Sequence, residues 1–291
     1  MPFDVVLPSV LFFLTAASVL LYPKLESKVK SILEERKFKM RDVVALVAVM
    51  SISVTAFVIA PDYAIIALFL IFYSLMLFLS IYIFTSKWYL GLLLPATFLI
   101  LYFSLWNLLG TDVSVLVFID IFAAIFVVFA SVFMGTLFGW KTVAVFAGLI
   151  TVMDVIQVFV TRFMVESSIK MQNLNLPVMI FVPTFPYQSP GTLLGLGDFL
   201  LSSLLMIQTV KKYGRRFGYV SITFIACAFL IFGAFQIWYF ELLKQSYPVE
   251  EAAAKSAMPA TVFIMCGWLV SLGARHIYNW LTAKMTLGER Q

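Results

Sequence analysis

Three carboxylates stand inside long apolar runs: Asp120, Asp154 and Asp198. An aspartate at the centre of a membrane-spanning helix costs on the order of 3 kcal/mol, so each is a functional candidate by default. Spacing separates them. Asp154 follows Lys141 by 13 residues, and Lys211 follows Asp198 by 13. On helices running in opposite directions, that sets both carboxylates roughly 20 Å from the same lysine-bearing boundary. Asp120 precedes Lys141 by 21 residues, roughly 30 Å, and belongs near the opposite surface. Two carboxylates at one depth suit hydrolysis of an amide. Close like charges resist double ionisation, so the pair shares a proton; the ionised member takes a proton from water while its partner polarises the scissile carbonyl. Gly195 and Gly197 beside Asp198 remove side chains where a backbone must approach. Ser202, four residues after Asp198, and Gln157, three after Asp154, share a helical face with the acids and are expected to orient them or a water. Interhelical hydrogen bonding, or a proton or cation relay, remains open to the same residues.

The elements that must position these groups follow from composition. Hydrophobic residues make up 63% of the 291, charged residues only 12%, against about 25% charged in soluble domains, which indicates an integral membrane protein. Apolar runs bounded by charged or Pro/Gly joints predict nine helical spans: 3–22, 42–60, 62–84, 88–109, 113–138, 141–161, 192–210, 217–240 and 257–274. Helices are required because lipid leaves backbone polar groups no other partners, and no period-2 pattern suggests a barrel. An external N-terminus assigns 16 of the 20 basic residues, Lys24 to Arg290, to the inside and leaves Arg162, Lys170, Lys244 and Lys255 outside. The expectation is N-out, C-in, in a multi-pass protein of the cell membrane if prokaryotic. The first run lacks a basic n-region and carries Asp4, as a retained helix rather than a cleaved signal would. Cys227 and Cys266 fall in apolar runs and read as packing residues. The pI near 9.1 reflects topology; no nucleic-acid partner is expected.

Two connections carry signals. PKLESKVKSILEERKFKMRD, after the first span, spaces Leu25, Val29, Ile32 and Leu33 on one face among cations, as an interfacial helix or a solvated basic loop would. The 162–191 connection is broken by Pro177, Pro183, Pro186 and Pro190, and its piece VMIFV reads as a strand edge able to pair with an extended peptide. Other hydrolytic chemistries lack parts. His276 is the only histidine, and neither HExxH nor GxSxG occurs, so no metal or cofactor is expected. The paired broken helices of an inverted-repeat transporter are not seen. A proton- or cation-coupled transporter or channel nevertheless remains the alternative from another class.

Order and motifs together carry a resemblance. An Asp lies in the sixth span, GLGD at 195–198 in the seventh, and MPAT at 258–261 opens the ninth, with LPVMIFVP upstream of GLGD. This resembles the presenilin and signal peptide peptidase family of intramembrane aspartyl proteases, in an archaeal-type form. Prepilin-peptidase-like enzymes also use a Gly-x-Gly-Asp segment but follow it closely with lysine, where Phe199 and Leu200 stand here. The resemblance implies an all-α, presenilin-like membrane domain of about nine helices. Its parts are a six-helix part at 1–161 carrying Asp154, an external loop at 162–191, and a three-helix part at 192–291 carrying Asp198 and Pro259. It implies catalysis by Asp154 and Asp198, and substrate contact at Gly195, Gly197, Pro259, Ala260 and Thr261. The implied substrates are transmembrane peptides in the lipid bilayer, signal-peptide remnants among them. A homo-oligomer and a catalytically silent homologue are both compatible with it. The family usually has Tyr-Asp where this chain has Met153-Asp154, and Pro-Ala-Leu where it has Pro259-Ala260-Thr261.

Overall fold

Hydrocarbon offers backbone N–H and C=O groups no partners, so apolar runs of this length fold as helices that satisfy themselves. A computed structural model describes residues 3–32, 37–108, 113–174, 176–185 and 192–288. Leu33, Arg36, Pro186, Pro190 and Arg290 lie outside the described residues. The elements are α1 (Val6–Ile32), α2 (Met40–Ile59), α3 (Asp62–Thr85), α4 (Trp88–Gly91), α5 (Leu93–Leu108), α6 (Val113–Leu137) and α7 (Trp140–Val155), which a π-turn, Ile156–Val160, continues. There follow α8 (Phe163–Asn173), strands β1 (Met179–Val182) and β2 (Thr192–Gly195), α9 (Leu196–Tyr213), α10 (Arg215–Leu243), α11 (Val249–Ser256) and α12 (Ala260–Gly288).

Seven described segments are long and apolar enough to cross a membrane: α1, α2, α3, Asp120–Leu137 of α6, α7 with its π-turn, α10, and Glu251–Thr282, which takes in most of α11 and of α12. The predicted 88–109 span contains a shorter apolar helix, Trp88–Ser104. The predicted 192–210 span begins as strand, not helix. Its helix, α9, has 18 residues and carries Asp198, Lys211 and Lys212. The all-α membrane class holds, while length and apolarity alone identify seven crossings among the described residues.

The core is built around α9, which packs against α1, α6, α7, α10 and α12. Every residue from Leu201 to Thr209 is buried. A helix buried on all sides must satisfy its polar side chains internally. Gln208 does so by donating to the carbonyls of Gly135 at 2.9 Å and Phe138 at 2.8 Å, acceptors that the end of α6 leaves open. Thr209 accepts from the Trp268 indole at 2.9 Å. α10 and α12 meet closely at Gly267, where an added Cβ would lie 2.6 Å from the Ile225 Cα.

The first helix does not end where its apolar run does. It continues through Pro23 to Ile32, and Leu25 and Val29, expected to rest on a leaflet, are buried at 2% and 0% exposure. They extend the buried stripe of Val19 and Tyr22, so that segment prolongs α1 rather than forming a separate interfacial helix. The N-terminal end is fixed by Asp4, whose carboxylate accepts from the N–H groups of Val6 at 3.0 Å and Phe185 at 3.1 Å. One bond caps a helix; the other ties it to the segment after β1.

Candidate active site

Asp154 lies in the last turn of α7, immediately before the π-turn. π-turns break regular helix geometry and recur at functional sites. The carboxylate is 9% exposed. Its Oδ2 accepts from the Thr261 hydroxyl at 2.6 Å. Thr261 stands in the first turn of α12, so this side-chain bond ties the opening of that helix to the end of α7. Pro259 stands just before that first turn, where its missing N–H is no loss, and its carbonyl accepts from Val262 at 3.2 Å.

Asp198 occupies the first turn of α9, where a helix favours negative charge. It is partly buried. A Cβ on Gly195 would come within 3.2 Å of its Oδ2, whereas one on Gly197 would meet nothing within 4 Å. Gly195 therefore leaves room for the carboxylate, and Gly197 leaves room for something else. Asp154 and Asp198 border one cavity of about 340 Å³ and are close enough for the charge of one to act on the other. Met153, Gly195, Gly197, Pro259, Ala260 and Thr261 border it too. The two acids and the residues that the resemblance assigns to substrate contact thus border one cavity, drawn from α7, β2, α9 and the start of α12.

Asp120 is not among the residues that border this cavity. Its Oδ1 accepts from the Phe181 N–H at 3.0 Å, which decides the polarity of the small sheet. β1 and β2 are antiparallel, with Met179 opposite Gly195 and Phe181 opposite Leu193. Leu196 N–H donates to Val178 O at 3.0 Å, so by alternation the Met179/Gly195 and Phe181/Leu193 pairs are the ones whose backbone groups point away from each other. On β1 that outer edge is held against α6 by Asp120. On β2 the outward N–H and C=O of Leu193 and N–H of Gly195 have no backbone partner among the described non-ladder bonds. The expected strand exists, but the edge left unpaired belongs to β2, not to VMIFV.

Two expected neighbours of the acids turn elsewhere. Ser202 pairs with Thr15 at 3.3 Å, because α1 covers that side of α9. Gln157 lies within the π-turn and donates to Ser51 O at 3.3 Å, although it still borders the cavity. Sequence spacing missed Ser51 and Gln236, polar residues of α2 and α10 that also border it; the signal at Gln236 was a lone amide in an apolar run, whereas Ser51 is one of three hydroxyl residues in α2. Among the described residues no group of three or more His, Cys, Asp or Glu converges as metal ligands would. No family model matches the chain, and no curated protein matches it.

Proposed function

We propose that the chain is an intramembrane aspartyl protease of the presenilin and signal peptide peptidase family, hydrolysing peptide bonds within transmembrane segments. The observation that carries this reading is the convergence of Asp154 and Asp198 on one cavity at the end of a strand with a free edge. Asp154, whose carboxylate accepts the Thr261 hydroxyl, acts as the ionised member, since a donor to a carboxylate favours its charged form. It takes a proton from the attacking water. Asp198 gives its proton to the carbonyl oxygen, which leaves a gem-diol; as the C–N bond breaks, Asp154 passes its proton to the leaving amine and Asp198 recovers one from a gem-diol hydroxyl, restoring the pair.

A peptide bond inside a helix is closed to water, so the substrate unwinds first. The unwound strand pairs with the outer edge of β2, through Leu193 and Gly195, and so runs toward Gly197 and Asp198. Pro259, Ala260 and Thr261 form the opposite wall. In the membrane we place nine crossings, the seven long apolar helices together with the Trp88–Ser104 helix and α9, with the N-terminus outside and the lysine-rich end inside.

The test is a purified-protein assay on a single-span peptide in detergent. Cleavage by the native chain is expected, with loss on Asp154→Asn and on Asp198→Asn. Cleavage that survives both changes would end the proposal. Ion flux without cleavage would make the chain a transporter.

A further inference from the structure

At one end of the bundle, cations from three separate parts of the chain gather with no carboxylate to answer them among the described residues. Lys212, at the end of α9, lies 4.1 Å from the centre of the Trp140 ring and 5.0 Å from that of Tyr213. Arg275, from α12, lies 4.5 Å from Tyr213 and 4.6 Å from Phe217. The rings form a row, Trp140 to Tyr213 at 5.3 Å and Tyr213 to Phe217 at 5.5 Å. Tyr213 thus carries a cation from each of two helices. Lys141, Arg215 and Arg216 are exposed beside this row.

The charge pattern differs between the two ends. At the far end Lys170, Lys244 and Lys255 each have a carboxylate partner: Asp62, Glu241 and Glu251. At the cationic end the described carboxylates are committed elsewhere. Glu26 takes Lys30 and Lys211, and Asp42 accepts the Lys39 N–H. Lys141, Lys212, Arg215, Arg216 and Arg275 enter none of the ion pairs among the described residues. Ring faces offset part of the repulsion between such neighbours and fix the positions of Lys212 and Arg275, but they neutralise nothing.

We propose that this platform binds the phosphorylated headgroup of an anionic phospholipid. A lipid fits better than a soluble anion because one turn further along α7 and α10 the surface becomes apolar and exposed, at Val145 and Val220, where acyl chains would lie. Basic pockets at helix ends, rimmed by aromatic residues at headgroup depth, are suited to such lipids. The site is independent of the protease proposal and of which end faces the cytoplasm.

The experiment exposes the purified full chain in detergent to equal amounts of phosphatidylglycerol and phosphatidylcholine and reads the bound ratio by native mass spectrometry. Native protein is expected to favour phosphatidylglycerol by roughly tenfold or more. Lys212→Gln/Arg275→Gln brings the ratio near parity. Lys24→Gln/Lys28→Gln, which removes the same charge from α1, leaves it unchanged, and Lys212→Arg/Arg275→Lys keeps the preference. Parity in native protein, equal loss in the α1 variant, or displacement of the lipid by millimolar inorganic phosphate would each overturn the proposal.

Discussion

Thr261 stands where the proposed family usually has leucine, and its hydroxyl lies 2.6 Å from Asp154 Oδ2. A hydrogen bond to a charged group is worth about 1.5–3 kcal/mol. Thr261→Val should therefore lower kcat roughly tenfold or more while the protein still folds, and Thr261→Ser should restore most of it; steady-state cleavage kinetics check this. Asp120 acts at a distance. Asp120→Ala is expected to free the Phe181 amide, raising hydrogen exchange over 179–182, and to weaken cleavage through KM. Asp120→Asn keeps a side-chain carbonyl in place and should stay near the native values. Unchanged exchange in Asp120→Ala would remove Asp120 from that role. These residues differ in how far sequence could reach them. Spacing from the flanking lysines is countable because helices rise uniformly, and it singled out Asp154 and Asp198, which border one cavity. The direction of a side chain is not countable in the same way: the π-turn rotates Gln157 toward α2, and α9 is covered on every side, so Ser202 meets whichever helix packs there.

Elements obey a similar division. Apolar runs announced the long helices, but a 4-residue strand such as TLLG at the head of α9 carries no pattern of its own; it exists because β1 lies beside it. The continuation of α1 past its apolar run depends on α6 and α9 being there to cover Leu25 and Val29. Helix contact also makes some glycines irreplaceable. At Gly267 the obstacle to a side chain is the backbone of Ile225 and Phe224, which cannot step aside, whereas at Gly218 it is only the Val210 side chain. Gly267→Val should destabilise by about 1–3 kcal/mol and lower Tm in detergent. Gly218→Ala should cost less, because Val210 can change rotamer. Equal losses in a thermal melt would show that α10 and α12 are not held this closely.

For the whole molecule, the uneven distribution of cations sets the orientation expected in the bilayer. With Cys227 and Cys266 replaced by alanine, a cysteine at Gln245 should react with an impermeant thiol reagent on intact cells, and one at Arg215 only after permeabilisation. The reverse pattern would invert the topology. Within the bundle, Asp154 is also a fastener: the side chain proposed to activate water holds the opening turn of α12 against α7, joining the early helices to the last one. Silencing the protein by truncating residue 154 therefore loosens its architecture, while silencing it at 198 leaves that seam closed. A substrate trapped on an Asp198→Asn protein would report the working shape of the groove; one trapped on an Asp154→Ala protein would report a gap.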